Sequence, residues 1–162
     1  RSTAALITAD IGVEAIAIDL NGWDTHSGQD PTIGSPYYNT VLNLGNSLGA
    51  FHADVIASGI PQNLTVAVMW KSGRNVGQNG SQGTDHGRGN VMFLMGRHIS
   101  GGRVMVNNWP GLAREQLERG QDLRVTLDHR DILAEVVRNR LGNNNLGVVF
   151  PGYTPTMRGV TI

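Results

Sequence analysis

The amino-acid sequence predicts an α/β domain with a largely parallel β-sheet flanked by helices. Apolar runs typical of buried strands alternate along the chain with amphipathic helical stretches, which is the pattern of α/β proteins. The length of 162 residues, 40% of them hydrophobic, is sufficient for the core of one domain. The 22 glycines fall at predicted turns without a fixed period, which excludes collagen-like and repeat architectures.

Four apolar stretches are predicted to form strands. Residues 13–20 form the first, and residues 64–70 form the second, whose almost continuous apolar run is typical of a strand covered on both faces. Residues 90–95 are the third strand and residues 103–106 a short fourth. The glycine-rich loop at residues 71–89 is far longer than the usual connection of about 4–6 residues, so it is expected to be functional or disordered.

A long helix is predicted between the first two strands. Ser35 is expected to cap it, with Pro36 at the first helical position, where a missing backbone N–H costs no hydrogen bond. Gly59 and Pro61 are expected to end it. The side chains spaced three and four apart that should form its buried stripe are Val41, Leu44, Leu48, Phe51 and Val55.

A second helix is predicted near the end of the chain, capped by Thr126 or Asp128 and stopped by Gly142. Its inward-facing residues should be Ile132, Leu133, Val136, Val137 and Leu141. In open parallel sheets ligands bind outside the carboxyl ends of the strands. Residues that follow the predicted strands are therefore the first candidates for a functional site.

The composition narrows the classes of function. Thirteen basic and thirteen acidic residues balance without long charge runs, so the chain lacks the electrostatic pattern of a nucleic-acid or membrane-surface binder. No apolar stretch approaches the roughly 20 residues needed to span a bilayer, so no membrane span is expected. The absence of cysteine excludes disulfides, thiol catalysis and cysteine-ligated zinc, which leaves histidine and carboxylate as the main metal ligands.

Two short motifs each place a carboxylate and an imidazole within two positions of one another, beside glycines that let the backbone approach closely. Asp24 and His26 follow the first predicted strand, and Asp85 and His86 follow the second. These residue types predict a divalent-metal site at the ends of neighbouring strands. The plainer alternative is a pair of turns in which each aspartate caps the backbone and each histidine is solvated.

Other residues near these motifs have two possible roles. Arg74 lies in the glycine-rich loop, where its planar fork suits oxyanion binding, although a surface ion pair is the alternative. Trp23 and Trp109 are expected to pack rather than to bind substrate, although Trp23 could form a wall of the site. The remaining histidines, expected at surface, helix-flank or capping positions, are His52, His98 and His129.

The ordered motifs also carry a resemblance to known families. Thr84-Asp85-His86-Gly87 followed by Asn90 resembles the signature of cofactor-independent phosphoglycerate mutases and the aspartate-histidine metal pair of alkaline phosphatases. From about Leu6 to Tyr153 the chain resembles the C-terminal half of the domain of unknown function family 1501. The landmarks are Gly22-Trp23-Asp24-Thr25-His26, Gly73-Arg74, Asn79-Gly80, Gly83-Thr84-Asp85-His86-Gly87, Gly101-Gly102, Trp109-Pro110-Gly111-Leu112, Arg130-Asp131 and Phe150-Pro151-Gly152.

The resemblance implies an alkaline-phosphatase-like fold, of which residues 1–162 would be the C-terminal part. A missing N-terminal segment or another chain would then complete the sheet. That segment normally provides a further metal-binding aspartate and the nucleophile, so no nucleophile can be assigned here. Ser72 has no neighbouring base in the sequence. Lys71 stands where the family usually has glutamate, and this reversed charge should weaken cation binding.

Two functions are consistent with these features. The first is a metal-dependent hydrolase-like domain acting on small phosphate or sulfate esters, with zinc, manganese or calcium bound and Arg74 stabilising negative charge. The 162-residue chain alone should then be inactive. The second is a non-catalytic structural module of an extracellular or envelope assembly that keeps the fold. The resemblance implies a periplasmic, cell-envelope or extracellular location.

Overall fold

The computed structural model describes residues 2–57, 59 and 63–162. Its regular elements are short except for two helices. In chain order they are α1 (Ser2–Thr8), α2 (Pro36–Ala57), β1 (Thr65–Val68), β2 (Gly73–Arg74), β3 (His86–Gly87), β4 (Phe93–Gly96), a 3-10 helix (Arg114–Gln116), α3 (His129–Arg140) and α4 (Leu146–Val149). No helix within these described residues combines the length and apolarity required to cross a membrane.

The strands form two separate sheets, each with two antiparallel strands. β1 pairs with β4, with Thr65 opposite Gly96. β2 pairs with β3, with Arg74 opposite His86. The predicted fold class, a largely parallel sheet flanked by helices, is therefore wrong.

The connection between β1 and β4 explains the error. Parallel neighbours need a long crossover connection, usually a helix, whereas antiparallel neighbours can be joined by a chain that turns back on itself. Residues 69–92 turn back in this way, and the β2–β3 pair is nested inside the β1–β4 pair. The predicted strands at residues 64–70 and 90–95 are present in shortened form, but apolar runs do not specify the direction of pairing.

The other two predicted strands are absent. Residues 13–20 and 103–106 have no regular secondary structure. Large side chains of the first segment are exposed, with Ile18 at 70% of its full accessibility. Because a strand is stable only when its backbone groups pair with a neighbour, a β-prone sequence without such a neighbour stays irregular.

The long predicted helix is confirmed as α2. Ser35 Oγ accepts a hydrogen bond from the Tyr38 backbone N–H at 3.1 Å, which is the geometry expected of its cap. Gly59 has a positive φ of 73°, typical of a residue beyond a helix end, and the predicted stop at Pro61 lies outside the described residues. Of the predicted stripe, Val55 is buried, Leu44, Leu48 and Phe51 are half-buried, and Val41 is exposed.

The second predicted helix is confirmed as α3, with Asp128 as its cap. Ile132 and Ala134 are buried, whereas Leu141 is exposed, contrary to prediction. The structure also buries Asp131 and Glu135, which are 1% and 2% exposed. The C-terminal segment satisfies both carboxylates through the Tyr153 hydroxyl, the Arg158 side chain, and the backbone N–H groups of Thr156, Arg158, Gly159 and Thr161.

An aromatic cluster connects the first motif to the β1–β4 sheet. Trp23 packs edge-on against Trp70 with ring centroids 5.3 Å apart, and Trp70 packs against Phe93 at 5.9 Å. Trp23 is thus a packing residue, as predicted. Its position next to Asp24 means that this cluster helps to place the first motif.

Candidate metal centre

The two motif loops are joined by hydrogen bonds between distant parts of the chain. The backbone N–H of Gly28 donates to Ser81 O at 3.0 Å, and that of Thr84 donates to Thr25 O at 3.2 Å. Gln29 Oε1 accepts from the hydroxyls of Thr25 at 2.9 Å and Thr84 at 2.6 Å. These hydrogen bonds bring the two motifs together. The motifs do not meet at the ends of neighbouring parallel strands, as was predicted.

Glycine is required where the loops touch. A Cβ on Gly83 would collide with the backbone of His26, and a Cβ on Gly87 would lie 2.7 Å from the carbonyl carbon of Arg74. Neither glycine has a positive φ, so close packing and not an unusual backbone conformation excludes side chains here.

The structure brings all four predicted metal-site residues together, and three of them converge on one point. Asp24 Oδ1 lies 3.0 Å from His86 Nε2 and 3.2 Å from His26 Nε2. The two Nε2 atoms are 3.2 Å apart. Within the described chain, these three residues form a group whose ligand atoms are close enough to hold one metal ion. The side chains are 44–63% exposed, so solvent reaches the group.

Asp85 contacts this group from the far side of the His26 ring. Its Oδ1 lies 3.0 Å from His26 Nδ1 and accepts a hydrogen bond from Asn79 Nδ2 at 2.9 Å. Asn79 Nδ2 also donates to the backbone carbonyl of His26 at 2.9 Å. Sequence reasoning missed Asn79 as a site residue, although the turn-forming Asn79-Gly80 pair was a signal for it. It also missed Gln29, for which the sequence carries no local signal.

The Arg74 side chain donates hydrogen bonds to both motif loops. One terminal nitrogen donates to Thr84 O at 2.8 Å, and the other donates to Trp23 O at 2.6 Å and to Asp24 Oδ1 at 3.2 Å. A guanidinium has five N–H groups, so these three contacts leave two for another acceptor. Arg74 lies opposite His86 in the β2–β3 pair, which places the two side chains on one face.

The local charges favour ionised carboxylates. The hydrogen bond from His86 lowers the pKa of Asp24 below its usual value, with smaller electrostatic contributions from His26 and Lys71. Hydrogen bonds from His26 and Asn79 lower the pKa of Asp85. Both carboxylates therefore carry negative charge at neutral pH, beside two imidazole rings.

Two cavities border the site. One of about 280 Å³ is lined by polar side chains and glycine, namely Asn75, Gly77, Gln78, Asn79, Asp85 and Gln121. Another, of about 400 Å³, is largely apolar and includes Arg74, Val76, Val91, Trp109, Leu112 and Leu123 in its lining. Trp109 is thus half-exposed at a cavity wall instead of packed in a core.

The other three histidines and Ser72 lie outside the metal group. His52 is exposed on α2, and His129 is the first residue of α3, beside the capping Asp128. His98 is half-buried and its carbonyl accepts from Ile162 N–H. Ser72 contributes its backbone carbonyl to Asn90 at 2.6 Å.

Comparison with known proteins identifies the family. A family model described as "Protein of unknown function (DUF1501)" matches residues 2–146, which is most of the chain. The chain belongs to the DUF1501 family. Searches of curated proteins and of solved structures each returned no match. The DUF1501 match includes both motif loops, Arg74, Asn79 and Gln29.

Proposed function

We propose that this DUF1501 chain binds one divalent metal ion through Asp24, His26 and His86. The supporting observation is the convergence of three potential ligand atoms with separations of 3.0, 3.2 and 3.2 Å. Electron-rich atoms at this distance repel one another unless a proton or a cation lies among them. Ligands on a tetrahedral zinc ion, with bonds of about 2.0–2.1 Å, lie about 3.3 Å apart, close to this spacing.

The donor set favours some ions over others. Two imidazole nitrogens and one carboxylate oxygen suit zinc or manganese, whereas calcium prefers six to eight oxygen ligands. Of the three ions expected from the sequence, calcium is therefore the least suitable. Three protein ligands on a solvent-exposed face also leave a coordination position for water or substrate, as in catalytic zinc sites.

We further propose that the complete protein hydrolyses small phosphate or sulfate esters. A divalent ion in this position would polarise an ester oxygen and lower the pKa of a bound water molecule. Asp24, His26 and His86 would hold the ion, and the two remaining N–H groups of Arg74 would bind a charged ester oxygen. No nucleophile is assigned within residues 1–162.

The wider assignment rests on the motifs and not on the fold. The Thr84-Asp85-His86-Gly87 signature supports a relationship with the alkaline phosphatase superfamily, of which this chain would be a C-terminal part. The two small antiparallel sheets provide no support for that superfamily's architecture. The periplasmic, cell-envelope or extracellular location follows from the resemblance alone.

The alternative function is a structural module in a larger assembly, and one observation favours it. Residues 11–20 expose several large apolar side chains, namely Ile11, Val13, Ile16, Ile18 and Leu20. Exposed apolar segments of this kind are characteristic of surfaces covered by another segment or chain. A module of this type would keep the fold and the loops without turning over a substrate.

Activity assays separate the two functions. The complete protein and the 162-residue chain should be assayed on aryl phosphate and aryl sulfate, before and after chelator, with His86→Ala as the site variant and His52→Ala as its control. We expect turnover by the complete protein that is lost with chelator and in His86→Ala, and no turnover by the 162-residue chain. Turnover insensitive to chelator would contradict the hydrolase proposal, and an inactive metal-loaded complete protein would favour the structural module.

A further inference from the structure

The carboxamide of Asn79 is held in one orientation by four hydrogen bonds. Nδ2 donates to His26 O and to Asp85 Oδ1, both at 2.9 Å. Oδ1 accepts from the backbone N–H groups of Ser81 and Gly83, both at 3.0 Å. Two donor hydrogens and two acceptor lone pairs are all that a carboxamide has, so each is used. Reversing the amide would oppose like groups at every contact, so its orientation is determined by its surroundings.

Asp85 connects the fixed amide of Asn79 to the imidazole ring of His26. Its Oδ1 accepts from Asn79 and lies 3.0 Å from His26 Nδ1, so both lone pairs of that oxygen are used within the protein. An ionised carboxylate only accepts hydrogen bonds, so Nδ1 of His26 must carry a hydrogen. Asp24 Oδ1 lies 3.2 Å from Nε2 of the same ring, but it already accepts from His86 Nε2 at 3.0 Å and from Arg74 at 3.2 Å. A neutral imidazole has one ring N–H, so with that hydrogen on Nδ1 the lone pair lies on Nε2.

We infer that Asp85 and Asn79 are positioning residues that hold His26 with its hydrogen on Nδ1 and its Nε2 lone pair directed at the metal position. This inference rests on the proposed metal site, and it assigns Asp85 a role behind a ligand in place of the ligand role expected from the sequence. Metal-binding histidines commonly donate their second N–H to a carboxylate, and loss of that partner typically lowers metal affinity about 10–100-fold.

Asn79 extends the same chain of contacts to the loop backbone. Its Nδ2 donates to the Asp85 carboxylate and to the backbone carbonyl of His26. Asn79 thus holds the main chain of His26 directly and the imidazole ring of His26 through Asp85. Its acceptor oxygen closes the turn that leads into Gly83, the glycine packed against His26. Asn79 therefore helps to fix both the position of His26 and the conformation of the turn that leads into Gly83.

The first test is made on the metal-free protein and needs no metal binding. Long-range proton–nitrogen NMR at about pH 8.5, where an ordinary imidazole is neutral, reports which ring nitrogen of His26 carries the hydrogen. We expect the Nδ1–H form in the wild type and in Asp85→Asn, whose amide oxygen still accepts. We expect a mixture in Asp85→Ala. A His26 ring protonated on Nε2 in the wild type would overturn the inference.

The second test compares cobalt affinity among variants. Asp85→Ala should bind about 10–100-fold more weakly than the wild type, and Asp85→Asn should recover most of this loss because its oxygen accepts the same hydrogen. Asn79→Asp keeps the oxygen that accepts within the turn but replaces the N–H donor facing Asp85 with an oxygen. We therefore expect cobalt affinity to fall about tenfold. Equal losses in Asp85→Asn and Asp85→Ala would overturn the inference, since an amide is a poor replacement for a carboxylate ligand.

The cobalt absorption spectrum supplies a signature that a general loss of stability would not change. Positioning variants should keep the wild-type band positions at saturating cobalt, because the coordinating atoms are the same. A shift of those bands in Asp85→Asn would identify Asp85 as a ligand and refute the positioning role. Absence of cobalt binding in the wild type would refute the metal site itself, while the NMR result would still decide how His26 is oriented.

Discussion

The Nε2 atoms of His26 and His86 lie 3.2 Å apart, although the two residues are 60 positions apart in the chain. Asp24 Oδ1 lies within 3.2 Å of both nitrogens. This proximity depends on hydrogen bonds between two loops and on close backbone packing at Gly83. Changes to the loop contact should therefore weaken metal binding even when all three ligands are kept.

Gly83→Ala tests the loop contact. The added methyl group would collide with the backbone of His26, so the loops must separate. We expect cobalt affinity to fall at least about tenfold, as when the support of a metal ligand is removed. Gly80→Ala is the matched control, because a Cβ there meets nothing within 4 Å. Equal affinities of the two variants, measured by titration calorimetry, would argue against the packing account.

Lys71→Glu tests the electrostatics of the site. The positive charge of Lys71 contributes to lowering the pKa of Asp24, so it acts near the ligand group. Replacing it with glutamate should increase divalent-ion affinity about three- to tenfold at low ionic strength. Lys71→Gln should give a smaller increase, and high salt should reduce both. An unchanged or lower affinity in Lys71→Glu would contradict this prediction.

Asp131→Ala tests the attachment of the C-terminal segment to α3. Asp131 accepts hydrogen bonds from Tyr153, Thr156 and Arg158, and its removal leaves the Arg158 charge without this partner. We expect a loss of about 3 kcal/mol in the free energy of unfolding, measured by urea denaturation. Asp54→Ala, an exposed change on α2, should lose less than about 0.5 kcal/mol. Similar losses in both variants would refute a structural role for Asp131.

Acid should destabilise the protein partly through Asp128. Hydrogen bonding with Arg130 lowers the pKa of Asp128 to about 2 in the folded protein. A depressed folded-state pKa means that the stabilisation is present above the unfolded-state pKa of about 3.9 and is lost as pH falls toward 2. Because this pair is partly solvent-exposed, we expect only about 1 kcal/mol from it.

Asp128→Asn isolates this contribution. Asparagine remains a good helix cap but carries no charge, so the variant should be less stable than the wild type at pH 7, and this difference should shrink as the pH falls toward 2. Urea denaturation across this range measures both effects. A difference that is independent of pH would show that the charge of Asp128 does not contribute.

The sequence predicts which motif side chains lie together better than it predicts the fold. Glycine-flanked carboxylate and imidazole pairs are local signals that point to Asp24, His26, Asp85 and His86, and these four side chains lie together. The pairing direction of β1 and β4 is not a local property. It depends on the path of residues 69–92, which the apolar runs on either side do not specify.

The unpredicted residues share one physical feature, which is that their partners are distant in the chain. Asp131 and Glu135 are buried because backbone N–H groups more than 20 positions away satisfy them. Gln29 likewise joins Thr25 to Thr84, 55 positions beyond it. A helical pattern read from sequence assigns carboxylates to the solvent face, since it contains no information on such partners.

Metal titration of the 162-residue chain tests the central claim most directly. Cobalt or zinc binding should be followed by calorimetry for the wild type, the double variant His26→Ala/His86→Ala, and the control His52→Ala. We predict one ion per chain for the wild type and the control, and a loss of at least about 100-fold in affinity for the double variant. Unchanged stoichiometry and affinity in the double variant, or no binding by the wild type, would contradict the proposed metal site.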